Sequence, residues 1–94
     1  MKFLEEEFDE VLVDNLREKY EESILEEFEL NRDNVLKVID YLKDIGIEEV
    51  DELIRYRIEL FTQDIDNVIK AFNTDNMGDL VESINEDITN IDKI

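Results

Sequence analysis

Proline is absent from this chain, and glycine occurs only at Gly46 and Gly78 among 94 residues. A sheet fold needs turn chemistry at every hairpin, whereas helices are damaged by both residues, so the shortage of breakers selects helix. The apolar residues agree, because they recur at intervals of three and four. The length makes one domain, spanning 1–94, and the 43% hydrophobic content is enough for a core. The expected fold is all-α: a compact bundle of five to six short helices.

The first stripe is Phe3, Leu4, Phe8, Val11 and Leu12. The second, with Asp14 as its cap, is Leu16, Tyr20, Ile24, Leu25 and Phe28. The apolar residues at 8, 12, 16, 20, 24 and 28 advance by four, which would wind them around a straight rod, so a bend near 13–15 is expected. Asn31-Arg32-Asp33 supplies a cap for the widest face, Val35, Leu36, Val38, Ile39, Tyr41 and Leu42. Gly46 then sits where a helix closes in a left-handed residue, with Ile47 folding back. Glu48 and Glu49 open the next helix, with Val50, Leu53, Ile54, Ile58, Leu60 and Phe61. Thr62 is placed as the cap of a helix carrying Ile65, Val68, Ile69 and Phe72. After a loop from Asn73 to Gly78 come Met77, Val81, Ile84, Ile88 and Ile91 at heptad spacing. That seam reads first as the closing helix of the bundle. Its β-branched residues also suit pairing with a second copy, so Val81, Ile84, Ile88 and Ile91 are the candidate homodimer contacts.

Charge bounds the function. The chain has 28 acids against 10 bases, a net of −18 spread over both halves. Such a surface repels nucleic acid and anionic membranes, so direct binding to either is not expected. Cysteine is absent, and Met1-Lys2-Phe3-Leu4 runs directly into Glu5-Glu6-Glu7, unlike a secretory leader. A cytoplasmic location is the expectation.

Catalytic chemistry finds few components. Without Cys or His, the common nucleophile–base pairs cannot be assembled. Carboxylate pairs need a buried partner in a cleft, which a domain of this size hardly encloses. The loop Asn73-x-Asp75-x-Met77-Gly78 has calcium-loop acceptors at its first and third positions and Gly at the sixth. Its twelfth position, which requires Glu, is Ile84. No Gly-rich phosphate loop occurs. The chain is therefore read as a non-enzyme with no cofactor and no metal. In Arg55-Tyr56-Arg57, the arginines are expected to pair with Glu52 and Glu59, leaving Tyr56 at the core margin.

Residues 35–72, through Leu42, Gly46, Leu53, Leu60 and Phe61, resemble a single repeat of the mitochondrial transcription termination factor family. That family stacks helix pairs into a nucleic-acid-binding solenoid. Here its proline falls at Ile58 and acids replace its basic surface, so the resemblance implies a packing arrangement only.

The densest acids are Glu5 to Glu10 and the set Glu18, Glu21, Glu22, Glu26, Glu27 and Glu29. On continuous helices Glu18, Glu22 and Glu26 would stack at i, i+4, as would Glu5 with Asp9 and Glu6 with Glu10. Each like-charge pair costs about 0.2–0.5 kcal/mol. Carboxylates at that spacing approximate the interval between phosphates on one strand. The chain thus resembles, in size and composition, the small acidic proteins with which phages and mobile elements block restriction enzymes or CRISPR effectors. The resemblance implies an inhibitor that occupies the basic nucleic-acid-binding surface of a host defence protein. The alternative is an acidic immunity protein, antitoxin or adaptor that neutralises a basic protein, with Tyr20, Phe28 or Tyr41 as the apolar anchor. The candidate contacts are Glu18, Glu22, Glu26 and Glu29, with Glu6, Asp9 and Glu10 as a second patch. Asp79, Glu82, Glu86 and Asp87 form a further acidic group.

Overall fold

The computed structural model describes residues 2–93, and their side chains from residue 3 onward. Among these, every regular element of the chain is a helix. Its helices are α1 (Lys2–Glu7), α2 (Glu10–Lys19), α3 (Glu22–Leu30), α4 (Arg32–Asp44), α5 (Val50–Tyr56), α6 (Glu59–Thr62), α7 (Ile65–Phe72) and α8 (Met77–Glu86), followed by a 3₁₀ helix over Ile88–Lys93. The all-α expectation holds. The count of five to six does not, because breaks at Asp9, Tyr20–Glu21, Arg57–Ile58 and Asp87 cut the expected helices into shorter ones. Among the described residues no helix is long and apolar enough to cross a membrane.

The first two breaks separate like charges, although Glu22–Glu26, Asp40–Asp44 and Glu82–Glu86 remain one turn apart within single helices. One helix through residues 5–10 would stack Glu5 on Asp9 and Glu6 on Glu10, and one through 18–22 would stack Glu18 on Glu22. The chain instead turns extended at Asp9 and again at Tyr20 and Glu21, which separates all three pairs. The bend expected at 13–15 is thus replaced by two others, and Asp14 lies inside α2 instead of capping it. The shifted phase also turns Val13 inward and leaves Val11 61% exposed.

α4 is the hub. Val35, Val38, Ile39 and Leu42 form its buried stripe, against which α3, α5, α6 and α7 pack. Full burial of such side chains stabilises the fold by about 1.5–3 kcal/mol each. Phe28, Phe61 and Phe72 are the bulkiest fully buried residues. A cluster of Phe3, Phe8 and Phe28 fastens α1 to α3, with ring centroids 5.6–5.9 Å apart and the Phe3–Phe8 pair edge-on.

α4 ends as expected from sequence. Gly46 has φ of 104°, its N–H donates to the Lys43 carbonyl at 3.1 Å, and the Ile47 N–H donates to the Leu42 carbonyl at 2.9 Å. This is a Schellman closure, with Ile47 buried behind it. Asn31 stands at the start of α4 as expected, its carbonyl accepting from the Val35 N–H at 2.9 Å, but its side-chain amide donates backward to the Glu27 carbonyl at 2.7 Å and so also closes α3. One other cap assignment changes. Thr62 ends α6, and the cap of α7 is Asp64, which accepts from the Asp66 N–H at 2.9 Å.

The C-terminal stripe is not one helix either. α8 stops at Glu86 and the chain continues as 3₁₀ from Ile88, so the heptad register is lost after Glu86. Val81, Ile84 and Ile91 are at most 7% exposed in this domain's own core, and Ile88 packs against that core. The stripe proposed as a homodimer seam is therefore filled from within the chain.

Candidate partner-binding surface

No charged or polar residue is buried among the described residues, and 27 of the 28 carboxylates are exposed; Glu29 alone is half-buried. Four ion pairs occur in the described chain: Arg17–Glu5 at 3.0 Å, Arg55–Glu52 at 3.1 Å, Arg57–Glu59 at 2.8 Å, and Arg57–Asp92. The pairings expected for Arg55 and Arg57 are present, and Tyr56 is half-buried between them. All four lie at the surface, where such pairs contribute little to stability.

Asparagines carry the polar work of folding. Asn34 donates to the carbonyls of Phe61, at 3.3 Å, and Gln63, and accepts from the Ile65 N–H at 3.0 Å, tying α4 to the α6–α7 turn. Asn85 donates to the Gly46 carbonyl and accepts from the Glu48 N–H, both at 2.9 Å, tying α8 to the turn after α4. Asn90 donates to the Ser83 carbonyl at 2.8 Å, closing the C-terminal turn. Most carboxylates make no such link.

The candidate contacts separate accordingly. Glu22 and Glu26 stay one turn apart on α3, fully exposed. Glu18 lies on α2 beyond the Tyr20–Glu21 break, in a shallow depression with Asn15, Lys19 and Arg55, so the three-carboxylate row is not formed. Glu29 is committed inward: its Oε1 accepts from the Phe3 N–H at 3.2 Å, and its Oε2 is buried without a partner among the described residues. Glu6 is on α1, Asp9 in the link and Glu10 at the start of α2, so this patch surrounds a kink where a straight row was expected. Asp79, Glu82, Glu86 and Asp87 are all exposed at α8 and its end.

A few acids are held ionised by local donors. The Arg17 guanidinium, hydrogen-bonded to Glu5, keeps that carboxyl below its ordinary value. The Thr89 hydroxyl and N–H do the same for Asp87. The Tyr56 hydroxyl, donating at 2.6 Å, lowers Asp92, with Arg57 adding to it; that bond raises the Tyr56 phenol in return. No group of three or more acids among the described residues converges as a metal site would. The carboxylates are splayed outward.

The structure also contains an apolar groove of roughly 340 Å³ where α3 meets α6. Tyr20, Ser23, Ile24, Ile58 and Thr62 line it together with Glu27 and Glu59. Ile24, assigned to the core by its spacing, is 40% exposed here. The sign of this in the sequence is faint. Once a helix restarts after Tyr20, the inward positions pass to Leu25 and Phe28, and Ile24 falls between Glu21 and Glu27. Of the three aromatics considered as anchors, Phe28 is fully buried and Tyr41 leans on Phe72. Only Tyr20 borders a groove.

No family model, curated protein or solved structure matches the chain.

Proposed function

We propose that this protein is a charge mimic of duplex DNA that occupies the basic nucleic-acid-binding surface of another protein, in the manner of a phage- or mobile-element inhibitor of a restriction enzyme or CRISPR effector. One observation carries the reading: 27 of the 28 carboxylates are exposed to solvent, and most of them make no ion pair or hydrogen bond among the described residues. The density of charge fits as well. The domain is a short rod of 38 × 24 × 19 Å with a net charge of −18. A duplex 38 Å long carries on the order of 22 phosphate charges, one per roughly 1.7 Å. A basic groove that accepts about a turn of DNA would therefore meet a comparable field, with long-range steering toward it.

The test is competition. DNA-binding proteins retained on the immobilised chain should be released by excess duplex of about one helical turn, and retention should fall steeply between about 50 and 200 mM salt. Proteins that hold the chain and the duplex at once would sink the reading.

The acid-rimmed groove at Ile24 favours a second reading. An immunity protein, antitoxin or adaptor would neutralise a basic protein through an apolar anchor ringed by charge. Substituting the groove would then weaken capture more than reversing several remote charges.

A further inference from the structure

We propose that the groove between α3 and α6 is the specificity centre of the binding surface, and that its occupant is a single apolar side chain flanked by lysines or arginines on a basic protein partner. This rests on the partner being basic, which both readings above share. The groove exists before any partner arrives. The Tyr20 hydroxyl donates to the Arg55 carbonyl at 2.7 Å, fixing one wall. Thr62 Oγ1 donates to the Glu59 carbonyl at 3.0 Å, and Arg57 holds the Glu59 carboxylate, fixing the other. Ile58, 1% exposed, is the floor. A preformed wall spares a ligand the cost of ordering it.

Charge selects the occupant. Glu27 and Glu59 stand on the rim, and Glu21 lies one helical turn before Ile24. From Glu21 to Asn31 the chain contains no lysine or arginine. An apolar group on an acidic or phosphorylated segment would be repelled, whereas one beside cations gains attraction from Glu21 and from the Glu27 side of the rim, which holds no ion pair among the described residues. The volume is at the small end of the range for ligand pockets, with room for an apolar side chain together with its flanking chain.

Two labelled basic peptides of equal charge test this, one with a central leucine and one with serine in its place, titrated by fluorescence anisotropy at low salt. On the native chain the leucine peptide should bind about tenfold more tightly, the factor expected for an interface anchor. Ile24→Ser and Ser23→Trp, which removes and blocks the groove respectively, should each bring the ratio near one. Val11→Ser, at an exposed valine away from the groove, should keep it. Circular dichroism and melting temperature identify any variant that fails to fold. Equal binding of both peptides to the native chain overturns the groove and leaves the charge reading standing. A ratio that survives both groove variants also overturns it. If neither peptide binds, the basic-partner reading falls as well.

Discussion

Asn34 shows how few polar atoms hold the tertiary structure. Its amide donates to two carbonyls and accepts from one N–H at the α6–α7 turn, two of the three bonds being partly buried. Asn34→Ala removes all three bonds at a half-buried position. The expected loss is about 1–3 kcal/mol, the cost of leaving buried backbone groups unpaired, read as a lower urea midpoint at unchanged slope. Asn85 performs the same service for Gly46 and Glu48. Neither residue stood out in the sequence, because an asparagine that ties two distant segments leaves no local pattern. Gly46 did stand out. A lone glycine after an apolar helical run, followed by Ile47, is a local signal, and its left-handed backbone is where the spacing puts it.

At the scale of single helices, caps decide boundaries. The Asp64 carboxylate satisfies a free N–H at the start of α7, so Asp64→Ala should lower stability by about 0.5–2 kcal/mol. Thr62 donates within its own turn to Glu59, and Thr62→Ala should cost much less. Paired thermal melts separate the two assignments; equal losses would contradict the cap at Asp64. Helical class, the apolar face of α4 and its closure were legible because each depends on residues within a few positions. The breaks at Asp9 and Tyr20 were not, since the contacts beside them, Phe8 on Phe3 and Phe28 and the Tyr20 hydroxyl on the Arg55 carbonyl, join distant segments. That error propagated to the candidate contacts. It built a row from Glu18, Glu22 and Glu26 that the chain divides between two helices, directed Glu29 outward although it clasps Phe3, and hid Ile24 in the core.

For the molecule as a whole, self-repulsion at a net of −18 should make stability rise with salt, because screening relieves exposed like charges more than it weakens the few surface ion pairs. Melting temperature measured from low to high sodium chloride checks this, and a fall would contradict it. The response to pH has opposed limbs. Glu5, Asp87 and Asp92 are held below their ordinary values of 4.5, 3.8 and 3.8, so their contribution is complete above those values and disappears as pH falls through the lowered ones. The Tyr56 phenol is raised above 10.0, so its contribution is present below that value and is lost as pH climbs through the raised one. Melting temperature should fall at the alkaline extreme, and Tyr56→Phe should remove the Tyr56 part of that loss.

One property of the helices reaches further. All but α4 have ten residues or fewer, below the roughly 12–15 at which an isolated helix persists in water. None of these shorter helices can survive outside the assembled core, so most of the carboxylates keep their arrangement only while the entire domain is folded. A partner that recognises that arrangement must then pull the folding equilibrium toward the native side by mass action, by about 2.7 kcal/mol at a hundredfold excess over its dissociation constant. Proteases should consume the unbound molecule quickly and spare the captured one, making the lifetime of this protein a reporter of whether its target is present.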